Sequence, residues 1–174
     1  MVTTSFSPFP YLETERLSLW QMEKADAADI LALRSDERVN QYIDRKKMLS
    51  ISEAETFIHK INDGIDKGIW IFWAVADRQT NRFLGTVCLW NIVKEEAKGE
   101  LGYELLYDAQ GHGYMMEAVA KVIEFGFQRM NLKVLEAVIK EGNERSIKLA
   151  ENNGFTFLKK DGANLIYILE PAIN

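Results

Sequence analysis

The hydrophobic period changes at Gly113, and this change constrains the fold more than any other feature. Before it, residues 100–107 form a strand candidate ending in a polar, glycine-punctuated loop. After it, Met115, Ala118, Val119, Val122, Ile123 and Phe125 share one face at helical spacing. Residues 134–139 then return to a short apolar run of strand type. Strand, loop, long amphipathic helix and strand describe a crossover helix between two central strands.

The flanking segments extend this pattern on both sides. Residues 1–14 read as an irregular lead-in with Pro8 and Pro10, and 16–20 as a first strand with Leu17 and Leu19 on one face. Ala27, Ile30, Leu31 and Arg34 have helical spacing within 24–34, and the polar stretch 35–50 suits a short helix and a loop. Ser52 and Glu55 form a capping-box pattern ahead of the apolar stripe Phe57, Ile58 and Ile61, which Gly64 and Gly68 punctuate. Runs 69–76 and 83–90, joined by the polar segment 77–82, predict an antiparallel meander with the strand at 100–107. Asn143 is a predicted cap for a helix through Asn152, Gly154 its stop, and 155–158 and 165–169 two late strands. Gly126 suits a close approach inside the long helix. The expected fold is α/β: a single-domain mixed sheet flanked by helices, spanning 1–174.

Charge and cysteine usage narrow the function classes. A formal charge of −5, from 21 Lys+Arg against 26 Asp+Glu, disfavours nonspecific duplex binding, so no direct nucleic-acid partner is expected. Cys88 is the only cysteine and lies in an apolar run, which fits a core position and a reducing compartment. Residues 1–10 lack the basic and apolar regions of a signal peptide, and no apolar run approaches membrane-spanning length. A cytoplasmic protein without membrane partners is the expectation. His59 has no metal-ligand pattern around it, and no metal is expected.

The segment Gln110-Gly111-His112-Gly113-Tyr114-Met115 stands between a predicted strand and a predicted helix. Glycines permit tight backbone approach, and the free N–H groups of a helix start bind phosphate oxygens. An acidic chain can hold an anionic ligand in this way without basic side chains. The segment is neither a full dinucleotide fingerprint nor a P-loop, and two glycines before a helix also serve as a plain turn.

Several motifs occurring in order carry a resemblance. They are Leu12-Glu13-Thr14-Glu15-Arg16-Leu17, Glu100-Leu101-Gly102-Tyr103-Glu104-Leu105, the Q/RxxGxG/A pattern at Gln110, Gly113 and Met115, and Asn143 with Ser146 before Gly154-Phe155. Over roughly 12–169 the chain resembles the GCN5-related N-acetyltransferase superfamily, particularly its ribosomal-protein N-terminal acetyltransferase-like branch. The resemblance implies an acyl-CoA N-acyltransferase fold and acetyl-CoA as donor. It places the coenzyme A diphosphate on Gln110, Gly111, His112, Gly113, Tyr114 and Met115, mainly through backbone amides. It further implies a splayed parallel pair of strands admitting the pantetheine arm, with Asn143 contacting the cofactor or holding the opening. Two positions depart from the family pattern: Met115 replaces the usual Gly or Ala, and Ala150 replaces a tyrosine that many members use near the leaving thiol.

Transfer of acetyl to an amine requires the neutral amine. A terminal α-amine, with a pKa of about 7.7–8.0, loses its proton more readily than a lysine amine at about 10.4. A protein N-terminus is therefore the favoured acceptor and a ribosomal protein a candidate. Small-molecule amines or polyamines remain the enzymatic alternative, and a noncatalytic acyl-CoA sensor or scaffold the third reading. Glu100 and Glu104, on either side of Gly102, face one side of a regular strand; either is a candidate general base or a solvent-facing charge. A backbone N–H near Leu105 is the candidate oxyanion donor. Ser146 is the candidate partner of the leaving thiolate, or a support for its helix start. His112 belongs to the loop rather than the carbonyl. Trp70, Trp73, Trp90 and Tyr103 read as sheet core or rim.

Overall fold

The structure, a computed structural model, describes residues 1–172. Its elements are β1 (Leu12–Glu13), β2 (Leu17–Trp20), α1 (Ala27–Ser35), α2 (Glu37–Asn40), α3 (Ile51–Asp66), β3 (Ile71–Asp77), β4 (Phe83–Val93), β5 (Lys98–Leu105), α4 (Tyr114–Gln128), β6 (Val134–Lys140), α5 (Glu144–Asn152), β7 (Thr156–Asp161) and β8 (Asn164–Leu169). Short 3₁₀ turns precede α1 and follow β5. One eight-stranded sheet runs β1-β2-β3-β4-β5-β6-β8-β7. The β5–β6 pair is parallel and every other pairing is antiparallel. The mixed α/β fold, the central meander and the crossover helix α4 agree with expectation.

Residues paired across a strand share a face, so the register sorts the core. Ile71, Leu89 and Leu101 are paired in a row, as are Trp73, Val87 and Tyr103. Both rows face α4. Trp73 meets Phe125 edge-on at 5.2 Å, and a Cβ on Gly126 would lie 3.2 Å from Leu89 Cδ1. A side chain at 126 would therefore make Leu89 shift by a few tenths of an ångström. The alternate row, including Phe72, Cys88, Gly102 and Glu104, faces α1 and α3. On that side Trp70 donates Nε1–H to Ile61 O at 2.9 Å and lies over Gly64, where a Cβ would come within 2.2 Å of the indole.

Two local expectations change. The α3 cap is Ser50, not Ser52: Ser50 Oγ accepts from Glu53 N at 3.2 Å and Glu53 Oε2 accepts from Leu49 N at 2.6 Å. The Ser-x-x-Glu pattern occurs twice, and the chain is still extended at Ser50, with φ −148° and ψ 157°. The lead-in is also less irregular than its prolines suggest. Leu12–Glu13 forms a strand on β2, Phe6 is buried, and Pro10 O accepts from Trp73 Nε1 at 2.8 Å.

Candidate active site

The β5–β6 ladder contains three pairs, Lys98–Val134, Gly99–Leu135 and Glu100–Glu136. Beyond Glu100 and Glu136 the strands separate. The N–H and C=O groups on that edge of β5 are thereby left for something other than β6. At the far end of β5, Gln110 Nε2 donates to Leu105 O at 3.2 Å and Arg145 Nη1 donates to Gln110 Oε1 at 2.6 Å. Gln110 thus ties the end of β5 to α5 across the opening.

The loop then turns into α4 through two left-handed residues, Gly111 at φ +83° and Gly113 at φ +77°. A side chain strains such backbone by about 1–2 kcal/mol. Glu117 N donates to Gly113 O at 3.2 Å and opens the helical ladder. Among the described residues, the N–H groups of 111–116 have no protein acceptor. Gly111, His112 and Gly113 are exposed. These amides and the positive end of a 15-residue helix make an anion cradle. Met115 is accommodated because its side chain turns into the core, 5% exposed.

A clamp holds this cradle. Glu117 accepts from Thr14 Oγ1, from Arg16 N at 2.8 Å and from Arg16 Nε at 2.7 Å. Arg16 Nη1 donates to His112 O at 2.8 Å, and its guanidinium lies 4.8 Å from the centre of the Tyr114 ring. Desolvation pushes the Glu117 carboxyl up, but the Thr14 and Arg16 hydrogen bonds and the Arg16 charge outweigh it and hold the group below its ordinary value. The polar residues of the segment 12–17 therefore fix the start of α4.

The two glutamates share a face as their spacing requires, but their surroundings differ. Glu100 sits where the strands part and accepts from Asn91 Nδ2 at 2.7 Å. Burial raises its pKa above the ordinary value, opposed by the Asn91 hydrogen bond and reinforced by Glu136. Glu104 is bound by two guanidinium groups: Arg45 Nη1 and, at 3.5 Å, Arg34 Nη1 both reach Oε1. Its other oxygen, Oε2, and Arg45 Nη2 are buried without a partner. An unpaired buried polar atom costs about 1–3 kcal/mol, so an unmatched donor and acceptor in one cluster are a pronounced feature.

Asn143 caps α5, its Oδ1 accepting from Ser146 N at 3.3 Å. Ser146 Oγ lies 2.5 Å from Tyr103 Oη, joining α5 to β5. Tyr103 reads from the sequence as sheet core or rim, and nothing local to it marks this bond. Burial raises the Tyr103 pKa, with the Ser146 hydrogen bond opposing it. Ala150 is fully buried, so no polar side chain enters from that position. Burial also pushes the Cys88 thiol up, beside Glu104 and Glu100, in keeping with a core cysteine. His59 lies away from the cradle, at a shallow hollow with Lys24 and Asn62.

A helix start with free amides thus lies next to a parallel strand pair that opens beyond its third rung. The chain belongs to the GNAT acetyltransferase family: residues 16–156 match the family's Acetyltransferase (GNAT) domain. It is therefore a GNAT-type, acetyl-CoA-dependent acetyltransferase. It is 30% identical over 162 residues to the uncharacterized N-acetyltransferase YoaA of Bacillus subtilis (strain 168), covering 93% of this chain and 90% of that one. It is 34% identical over 145 residues to the uncharacterized N-acetyltransferase p20 of Bacillus licheniformis, covering 83% and 81%. Among solved structures, a Vibrio cholerae protein assigned as a ribosomal-protein-serine acetyltransferase superposes with a TM-score of 0.84 at 26% identity, over 94% of this chain and 99% of that chain.

Proposed function

We propose that this chain acetylates the α-amine of a protein N-terminus, with a ribosomal protein as the first acceptor to examine. The observation that carries the reading is the opening between β5 and β6 beside the unpaired amides of 111–116. Support for the acceptor comes from the similarity to the Vibrio cholerae protein assigned as a ribosomal-protein-serine acetyltransferase. The lower pKa of α-amines gives a chemical reason for the same choice.

Acetyl-coenzyme A, when bound, supplies the acetyl thioester. The N–H groups of Gly111, His112, Gly113, Tyr114 and Met115 hold its diphosphate, and Gln110 and Asn143 keep the two sides of the opening in place. Leu105 N–H stabilises charge that develops on the carbonyl oxygen. Glu100, where β5 and β6 part, is the preferred base: a carboxyl raised by burial is better matched to taking an amine proton near neutral pH, and at five residues along β5 from Leu105 it does so through water. Glu104, tied to two arginines, orients rather than accepts the proton. Ser146 Oγ–H hydrogen-bonds the leaving thiolate, and Tyr103 Oη–H, donating to Ser146 Oγ, holds that hydroxyl in place.

The test is incubation with acetyl-CoA and a mixture of free-N-terminus peptides, including ribosomal-protein N-termini, and small amines. Products are identified by mass spectrometry. Acetylated peptide N-termini are expected; modification of small amines alone would reject the acceptor assignment.

A further inference from the structure

The opening between β5 and β6 is lined by different residues on its two faces. Tyr103 lies in the row that faces α4 and bonds Ser146 of α5, so the groups that meet the leaving thiolate stand on that face. Glu100 and Gly102 belong to the alternate row and point to the other side of the sheet. A sulfur held by Ser146 and an amine that gives its proton to Glu100 therefore meet across the opening, and the acceptor comes from the Glu100 face.

On that face the diverging strands offer two levels. At the last rung Glu100 stands opposite Glu136, a pair of carboxylates suited to an ammonium group. Two residues further along each strand, Gly102 and Val138 hold equivalent positions on either side of the gap. Gly102 has no side chain, and the Trp90 indole lies over it: a Cβ there would stand 3.5 Å from Trp90 Nε1 and 2.8 Å from Cys88 Sγ. Trp90 pairs with Glu100 on β4, so its ring reaches diagonally over β5 toward the gap. Trp90 is 37% exposed and Val138 39% exposed, while Cys88, the next residue of Trp90's row, is buried. Single exposed apolar side chains are ordinary. Two of them on opposite lips of the gap, one step from the proposed base, are placed to touch what enters. The strands no longer pair at this level, so the lips stand more than a ladder spacing of about 4.8 Å apart, which leaves room for an aliphatic side chain.

We infer that Trp90 and Val138 form an apolar clasp for the acceptor's first side chain, so that the enzyme selects α-amines whose neighbouring side chain is apolar. The inference rests on the N-terminal α-amine reading and specifies its acceptor. With the amine beside Glu100 and Glu136, the substituent on its Cα is carried one step along the strands, between the indole and the Val138 methyls. A Leu side chain placed there leaves water for apolar surface. An Asn side chain of similar shape must give up water to lie against an indole face and an isopropyl group.

The experiment measures kcat/KM, with acetyl-CoA as donor, for two shape-matched pairs of acceptors. One pair is peptides that begin with Leu or with Asn and are otherwise identical; the other is isopentylamine and β-alaninamide. The wild type is compared with Trp90→Ala and with Val138→Thr, which keeps the shape of the residue, and thermal unfolding checks that each variant folds. The apolar member is expected to lead by about 10-fold in the wild type. That lead should shrink about 5-fold in Trp90→Ala and about 2-fold in Val138→Thr, through KM rather than kcat. A Leu peptide whose lead falls in the variants supports the clasp. The same pattern confined to the amines, with no peptide modified, supports the clasp and rejects the peptide assignment. Equal rates within both pairs, or an undiminished lead in the folded variants, overturns the clasp, while acetylated peptides would still uphold the N-terminal reading. No acetylation of any acceptor overturns both.

Discussion

Replacing Gly113 by Asn and by Asp separates shape from charge in the proposed diphosphate cradle. Gly113 has φ +77°, and a Cβ there would lie 3.3 Å from Arg16 Nη2. Asn and Asp both tolerate left-handed backbone better than other non-glycine residues, and they are nearly isosteric. Each variant therefore carries a similar backbone cost of about 1 kcal/mol and similar crowding of Arg16. Only Asp adds a charge. At about 5 Å from a diphosphate of about two negative charges, a carboxylate costs about 1.7 kcal/mol at the dielectric constant of water, or about 17-fold in affinity. The nearby Arg16 guanidinium offsets part of this, so Asp is expected to bind coenzyme A about 5- to 15-fold more weakly than Asn. The ratio should fall as salt rises, because exposed charges are screened. Calorimetric titration at low and high salt, with unfolding curves for both proteins, measures it. Equal affinity in two folded variants would refute the placement of the diphosphate.

Glu117→Gln removes the charge from the clamp on α4 and should lower stability by about 1–2 kcal/mol, a modest figure because Arg16 is 43% exposed. The lowered Glu117 pKa means the wild-type contribution is complete above the ordinary glutamate range and lost as pH falls through the lowered folded value; denaturant curves across acid pH should show that loss in the wild type and not in the variant. Glu100→Gln should lower kcat by about 100-fold and abolish an acid limb lying above the ordinary carboxylate value, since the base must be deprotonated to act; a retained limb would point to another base. Ser146→Ala should slow transfer with little change in coenzyme A affinity, and Tyr103→Phe should do so more weakly. Equal losses of affinity and rate in both would mean the pair is structural.

The parts of this site legible in the sequence were those with a local signature. A period change marks the β5–α4 junction, and glycines stand where φ is positive. Asn143 stands three residues before the amide it caps. The capping signal at α3 was present but ambiguous, because Ser50 and Ser52 both precede a glutamate by three residues, and only the backbone chooses between them. Other features link distant residues and leave no period. Arg16 and Glu117 are 101 positions apart, Arg45 and Glu104 are 59 apart, and Tyr103 and Ser146 are 43 apart. The segment 12–17 did carry a trace of its role, in polar Thr14 and Arg16 beside a strand. Nothing local marked Arg34 or Arg45, since a guanidinium in a polar stretch reads as a solvated charge until the fold brings a carboxylate to it.

The central claim is that the free amides of residues 111–116 receive the donor's diphosphate. A crystal structure of the chain with coenzyme A tests it most directly. The account predicts diphosphate oxygens within about 3 Å of several of those nitrogens. A diphosphate bound at another surface, with these amides making no contact to it, would contradict it.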